Sequence, residues 1–279
     1  MSLISSDIPV TTIRPATRTW VPPLGELWRS RDLALILAWR DVKVRYKQSL
    51  IGIAWAVLQP LLTMVVFTLI FGKFAQLPAQ GLPYPVFSML NLVPWVFLAA
   101  VFTQTANSVL SSRALIQKVH FPLLILPLAC VLVPLVDFTF SFAVGLGITA
   151  WFGVAIQPTV VLAPLFLLIL AATGIGAGSF LAVINVRYRD VPYAVPFLVQ
   201  LWLYASGVIY AAAAIPERYA NLVALNPAVG AITGFRWAVA GTPPPTTTMM
   251  ALGLLTMTVA FVGGLAFYRR AEPRFADTI

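Results

Sequence analysis

Residues 40–72 read RDVKVRYKQSLIGIAWAVLQPLLTMVVFTLIFG, a basic amphipathic half joined to an apolar half with no linker between them. At helical spacing, Leu35, Trp39, Val42, Tyr46 and Leu50 recur at steps of four and three and form one apolar stripe. Arg40, Lys43 and Lys47 form a cationic stripe beside it. From residue 51 to residue 71 there is no charge, enough chain to cross the ~30 Å hydrocarbon core of a bilayer as a helix. The pattern predicts a helix lying on a membrane at 26–48 that leads directly into a helix through it.

The whole chain has the same character. It is 60% hydrophobic and 10% charged, with a mean hydropathy of +0.90. Soluble domains carry about 25% charged residues, so an all-α integral membrane protein is expected. Six apolar runs fit membrane-spanning helices, near 51–71, 86–110, 123–151, 159–183, 194–214 and 249–268. An even number of spans puts both termini on one side. Of the 18 Lys and Arg residues, all but Lys73, Arg218 and Arg236 fall on that side, so both termini are expected in the cytoplasm. The net charge of +9 is then explained by orientation, and nucleic acid is not expected as a partner. No cleavable signal peptide is expected in the first 30 residues, which carry basic residues and prolines but no apolar core. Residues 1–25 read as a cytoplasmic tail, 26–48 as the interface helix and 49–279 as the transmembrane domain.

Between the fifth and sixth runs, residues 215–248 are too long for a tight turn and hold short apolar pieces such as 227–240. Short re-entrant or interfacial helices fit those pieces, with an ordinary outer loop as the alternative. Prolines 243–245 mark a stop before the last span.

Reactive chemistry is sparse. There are nine acidic residues and one histidine, His120, with no spacing suited to a metal site or a carboxylate pair, so no metal and no catalytic residue is expected. Cys130 is the sole cysteine and has no disulfide partner in the chain. Gly174-Ile-Gly-Ala-Gly178 lacks the Lys-Ser/Thr of a phosphate loop and lies within an apolar run. Gly174 and Gly178 read instead as a small-xxx-small pair that lets two helices approach. No nucleotide site is present in the sequence, so active transport would draw its energy from another subunit.

Asp137 stands alone half-way along the third run, where a carboxylate costs at least ~2.5–3.5 kcal/mol on insertion scales. It faces either a conduit or subunit interface, or a neighbouring span with Asn107 or Gln104 as hydrogen-bond partner. Trp95, Phe97, Trp202, Tyr204 and Tyr210 lie in or near spans. Aromatic side chains gather at bilayer interfaces, and they also line conduits along which sugars slide.

Residues 26–72, 113–138, 185–210 and 225–241 together carry a collinear likeness over nearly the whole chain. They resemble the permease subunit of ABC-type polysaccharide exporters, the type-2 exporter family, whose members move lipid-linked O-antigen, capsular polysaccharide or teichoic acid. The resemblance implies a homodimer of six-span subunits in a bacterial inner membrane, with two copies of a separate cytoplasmic ATPase subunit that binds ATP and Mg. It implies that Arg113, Lys118, His120, Phe121, Arg187, Arg189 and Asp190 lie on the surface that docks the ATPase. The lipid-linked glycan would bring its phosphate headgroup to Arg40, Lys43, Arg45 and Lys47, since guanidinium and ammonium groups pair well with phosphate. Plain anchoring to anionic lipid is the alternative for that cluster. A conduit past Asp137, Trp95, Phe97, Trp202, Tyr204 and Tyr210 would take the sugar chain. An ABC-type exporter of a small lipid or drug, or a membrane-embedded glycan-transferring enzyme, are the competing readings. One departure stands out: where family members often have Ser-Pro-Val, this chain has Ser206-Gly207-Val208.

Overall fold

Prolines in this chain both open helices in their first turn and lie within them, at Pro60, Pro94, Pro196 and Pro273. The computed structural model describes residues 25, 28, 30–47, 52, 54–119, 121–188, 190–211 and 215–278, the last three through their backbone alone. Helix α1 spans Arg31–Lys47, with Asp32 in its first turn and Arg45 and Lys47 in its last, charges that complement the helix dipole. α2 covers Ala54–Phe67 and continues as a π-helical stretch, Thr68–Phe74. α3, Tyr84–Ser111, starts behind Pro83 with a proline in its first turn, where the missing N–H is not needed.

The third apolar run, expected as one helix over 123–151, is two: α5 (Ile125–Ala129) and α6 (Leu132–Trp151), preceded by the short α4 (Arg113–Ile116). Pro134 cannot donate to the Cys130 carbonyl, so the helix breaks there and restarts with proline in its first turn. α7, Ala163–Arg187, follows a 3₁₀ turn at Pro158–Leu162. α8, Val191–Ala205, stops well short of the expected residue 214. At 1.5 Å per residue it extends about 22 Å, less than the hydrocarbon thickness. The chain turns at Gly207, whose φ is +65°, a left-handed conformation from which proline is barred. The family's Ser-Pro-Val bend is therefore made here by a different backbone route.

The expected short helices before the last span are present as Glu217–Tyr219 with α9 (Ala220–Ala224), then α10 (Pro227–Ala240), the two halves bent by 98°. α11 runs Thr247–Thr278, beyond the predicted end of the last span. Among the described residues, five helices are long and apolar enough to cross a membrane, or six if the bent pair is one span.

α3 and α7 form the centre. A Cβ added to Gly178 would lie 2.9 Å from the Phe102 carbonyl oxygen, and one on Gly174 3.2 Å from the Phe102 amide nitrogen, so the glycine pair permits that approach as expected. The opposite face of α7 meets α11 at Gly176, where an added Cβ would be 2.5 Å from the Ala260 carbonyl oxygen. Phe138 and Phe142 stack, while Phe97 and Phe235 meet Phe138 edge-on, joining α3, α6 and α10. In lipid this close packing, rather than hydrophobic burial, is what holds helices together. The peripheral α2 contrasts with it: 6% of its apolar stretch is buried, against 78% for α3.

Candidate functional site

α1 carries apolar residues on two faces, and the structure divides them. Leu37 and Ala38 are buried in a cluster with Val109, Phe121, Leu123–Leu126, Tyr268 and Phe275, and Val42 is buried as well. Of the expected stripe, Val42 is buried and Tyr46 partly buried, whereas Leu35 and Trp39 are exposed, at 62% and 55%, so the buried face is the expected one at the second half of the helix and rotated from it at the first; Leu50 lies outside the described residues. The reason is competition, since Leu33, Ala34, Leu37 and Ala38 are apolar too, and these pack in the cluster that includes α5.

The outward face of α1 is a shallow groove lined by Ile36, Trp39, Arg40, Lys43, Val44 and Lys47. Three of the four predicted cations are therefore gathered there, around an apolar floor. Lys43 Nζ lies 5.8 Å from the centre of the Trp39 ring. Arg40 pairs with Asp41 at 2.8 Å, but both side chains are about half exposed and the pair is worth little. The arrangement suits an amphipathic anion, with alkyl chain on the floor and charge at the rim.

Arg45 is elsewhere. Its Nη2 pairs with Asp137 Oδ2 at 2.6 Å, and the Tyr46 hydroxyl donates a short hydrogen bond to Asp137 Oδ1. The partners expected for Asp137 were Asn107 or Gln104, and this is corrected: Asn107 instead accepts from Asn185 and donates to the Thr103 carbonyl. Asp137 ties α6 to α1. Burial, reinforced by the Asp137 carboxylate, holds the Tyr46 phenol well above its ordinary value, so it remains a donor.

The aromatic candidates separate likewise. Trp95 and Phe97 are buried core residues, with Trp95 edge-on to Trp202 and Phe97 edge-on to Phe138. Trp202 donates from Nε1 to Asn226 Oδ1 at 3.0 Å, linking α8 to the bent pair. Within this subunit they pack rather than line an opening. Tyr204 is exposed, and the Tyr210 hydroxyl donates to its carbonyl at 2.8 Å.

The loop carrying Arg113 and Lys118 exposes both, whereas Phe121 is buried; His120 and Arg189 lie outside the described residues. Arg187 lies over Tyr188 at 5.6 Å, and Asp190 is exposed at the start of α8. What holds the first of these loops was not foreseen. The Leu123 amide donates to Glu272 Oε1 at 2.7 Å, and the Tyr268 hydroxyl donates to the Leu123 carbonyl at 3.2 Å, so the end of α11 grips both polar groups of one residue. Glu272, an acid set among Arg269, Arg270 and Arg274, was the available signal. Among the described residues no three His, Cys, Asp or Glu side chains gather as a metal site.

Residues 33–240 match the family model described as ABC-2 type transporter. The chain is 31% identical over 258 residues to the O-antigen export system permease protein RfbA of Myxococcus xanthus, covering 91% of this chain and 98% of that one. It is 26% identical over 260 residues to the O-antigen export system permease protein RfbA of Klebsiella pneumoniae, with 89% and 95% covered. The polysialic acid transport protein KpsM of Escherichia coli is 22% identical over 238 residues, with 84% and 91% covered.

Proposed function

The chain belongs to the ABC-2 type transporter membrane family, and from that premise we propose that it is the permease subunit of an ATP-driven exporter of a lipid-linked, O-antigen-like polysaccharide. It is a transport subunit and not an enzyme, as are its relatives by name. ATP and Mg belong to a partner ATPase in this reading. The observation that carries the substrate class is the collinear likeness to O-antigen export permeases, and the α1 groove supplies chemistry to match. Competing small-lipid or drug export lacks comparable support.

In this reading the headgroup phosphate of the substrate meets Arg40, Lys43 and Lys47 at the inner leaflet, with its lipid against Ile36, Trp39 and Val44. Arg45 contributes indirectly, by holding α1 to α6 through Asp137. The loop 113–121 and the exposed Arg187 and Asp190 meet the ATPase. The subunit acts as a homodimer, a reading supported by the apolar side chains that α2 leaves uncovered, including Leu62, Val65 and Val66. Charge asymmetry supports placing both termini in the cytoplasm of a bacterial inner-membrane protein, with α8 and the turn after it as the fifth crossing. The sugar path follows surfaces of the dimer near Tyr204 and Tyr210, where side chains are not packed away.

Double charge reversal, Lys43→Glu with Lys47→Glu, tests the headgroup role. Membrane insertion and recovery with the ATPase should persist while glycan export is lost. Unchanged export would discard that role, and loss of membrane association alone would assign the cations to lipid anchoring.

A further inference from the structure

Arg236, one of the three cations that the sequence places on the side opposite the other fifteen, is 1% exposed. It lies on α10, and its guanidinium reaches into the junction of four segments. Nη1 donates to Asn91 Oδ1 on α3 at 2.7 Å, and Nη2 donates to Gln80 Oε1 in the preceding loop at 2.9 Å. Its carbon centre lies 4.8 Å from the middle of the Phe87 ring. Asn91 then donates from Nδ2 to the Val208 carbonyl at 3.1 Å, and the Tyr84 hydroxyl donates to the Ile209 carbonyl at 2.8 Å. One side chain thus gathers the 79–82 loop, α3, the turn after α8 and the bent helix pair.

The gathering is incompletely compensated. Among the described residues no carboxylate pairs with Arg236, whose partners are amide oxygens and a ring face. Its Nε has no hydrogen-bond partner. A guanidinium cannot shed its proton in a protein, so the charge stays. Neutral amide oxygens and a ring face return only part of what is lost when such a cation leaves water. Gln80 adds to the tension, because it holds φ at +54°, a left-handed conformation that a non-glycine residue keeps only when its surroundings impose it.

We propose that Arg236 is a positioning residue that draws these four segments together in a metastable closed arrangement, its unanswered charge favouring their separation when water reaches it. A carboxylate partner for the same guanidinium would hold these segments more firmly. The functional half of the proposal rests on the export reading, whereas the metastability does not.

Gln80→Glu is the decisive variant, because it sets a carboxylate where the amide oxygen now accepts from Arg236 Nη2, without changing shape and with the Asn91–Val208 hydrogen bond left in place. The permease–ATPase complex in lipid nanodiscs is compared with wild type by Tm, by hydrogen–deuterium exchange of 79–82 and 206–211 during ATP turnover, and by glycan export in cells. The expected result is a raised Tm, slower exchange in both segments and export reduced at least about fivefold. A lowered Tm, or a raised Tm with wild-type export, would overturn the proposal. Arg236→Met provides a second route: it removes both donors, so exchange in 79–82 and 206–211 should quicken and export should fall, and unchanged exchange or wild-type export in this variant would equally overturn the proposal. Wild-type chain that exports no glycan would count against the export reading alone, since the Tm and exchange comparisons remain interpretable.

Discussion

Removing the Asp137 carboxylate should loosen α1 by an amount that the geometry sets. The Asp137 side chain is 11% exposed and that of Arg45 45%, so the pair is neither a surface bridge worth at most about 1 kcal/mol nor a fully buried one whose breakage costs about 3–5 kcal/mol. Asp137→Asn keeps an oxygen for the Tyr46 hydroxyl and loses only the anion facing Arg45, which places its effect at about 1–2 kcal/mol. Asp137→Leu also orphans the half-buried phenol and adds about 1–3 kcal/mol. Each 1.4 kcal/mol is a factor of about ten in the ratio of docked to undocked α1. Hydrogen exchange of residues 31–47 reads that ratio, with residues 165–185 of α7 as an internal reference that should not change. Protection in α1 should fall about tenfold in Asp137→Asn and about a hundredfold or more in Asp137→Leu. In an Arg45→Gln background, Asp137→Asn should cost less than about 0.5 kcal/mol, because the interaction it removes is already gone. Equal protection of α1 in all variants would refute the idea that this contact holds the helix.

Gly176→Val forces a side chain into the Ala260 and Phe261 backbone, and should lower the Tm of the purified protein by the equivalent of at least about 1–3 kcal/mol, or prevent folding. Gly207→Ala should cost about 1–2 kcal/mol for its left-handed φ, and Gly207→Pro should be worse despite the family's preference for proline; thermal unfolding followed by size-exclusion chromatography separates the two. Glu272→Gln retains an acceptor for the Leu123 amide and should preserve recovery of the ATPase on the permease, whereas Glu272→Ala should reduce it.

Much of this molecule can be read from linear pattern. Uncharged runs bounded by proline or glycine locate the helices, and the spacing of Gly174 and Gly178 announces the α3–α7 contact, because period and residue size are local properties. Asp137 shows where that stops. Its partner Tyr46 is 91 residues away, and no spacing rule reports how a surface helix docks against a distant span. The rotation of α1 was hidden for a related reason: both of its faces are apolar, so periodicity alone cannot choose between them. The burial of Arg236 is invisible for the same reason, because only the folded junction brings Asn91, Gln80 and Phe87 around it. The end of α8 was overrun because apolar residues continue to Ala214 while the backbone has already turned at Gly207.

These contacts bear on how a push from an ATPase would reach the substrate surface. Leu37 and Ala38 of α1 share one packed cluster with Phe121, Leu123 and Tyr268, so the inner face of α1, the 121–126 segment and the end of α11 adjoin. Close-packed groups transmit displacement rather than absorb it. A shift of the 113–121 loop would therefore carry α1 with it, while the Arg45–Asp137–Tyr46 contact resists by fastening the same helix to α6. The cationic groove lies on the opposite side of α1, free of both attachments. Its orientation is thus set by the cluster packed on one face of α1 and by the carboxylate that fastens the helix, and weakening Asp137 should alter how readily α1 moves before it alters the groove itself.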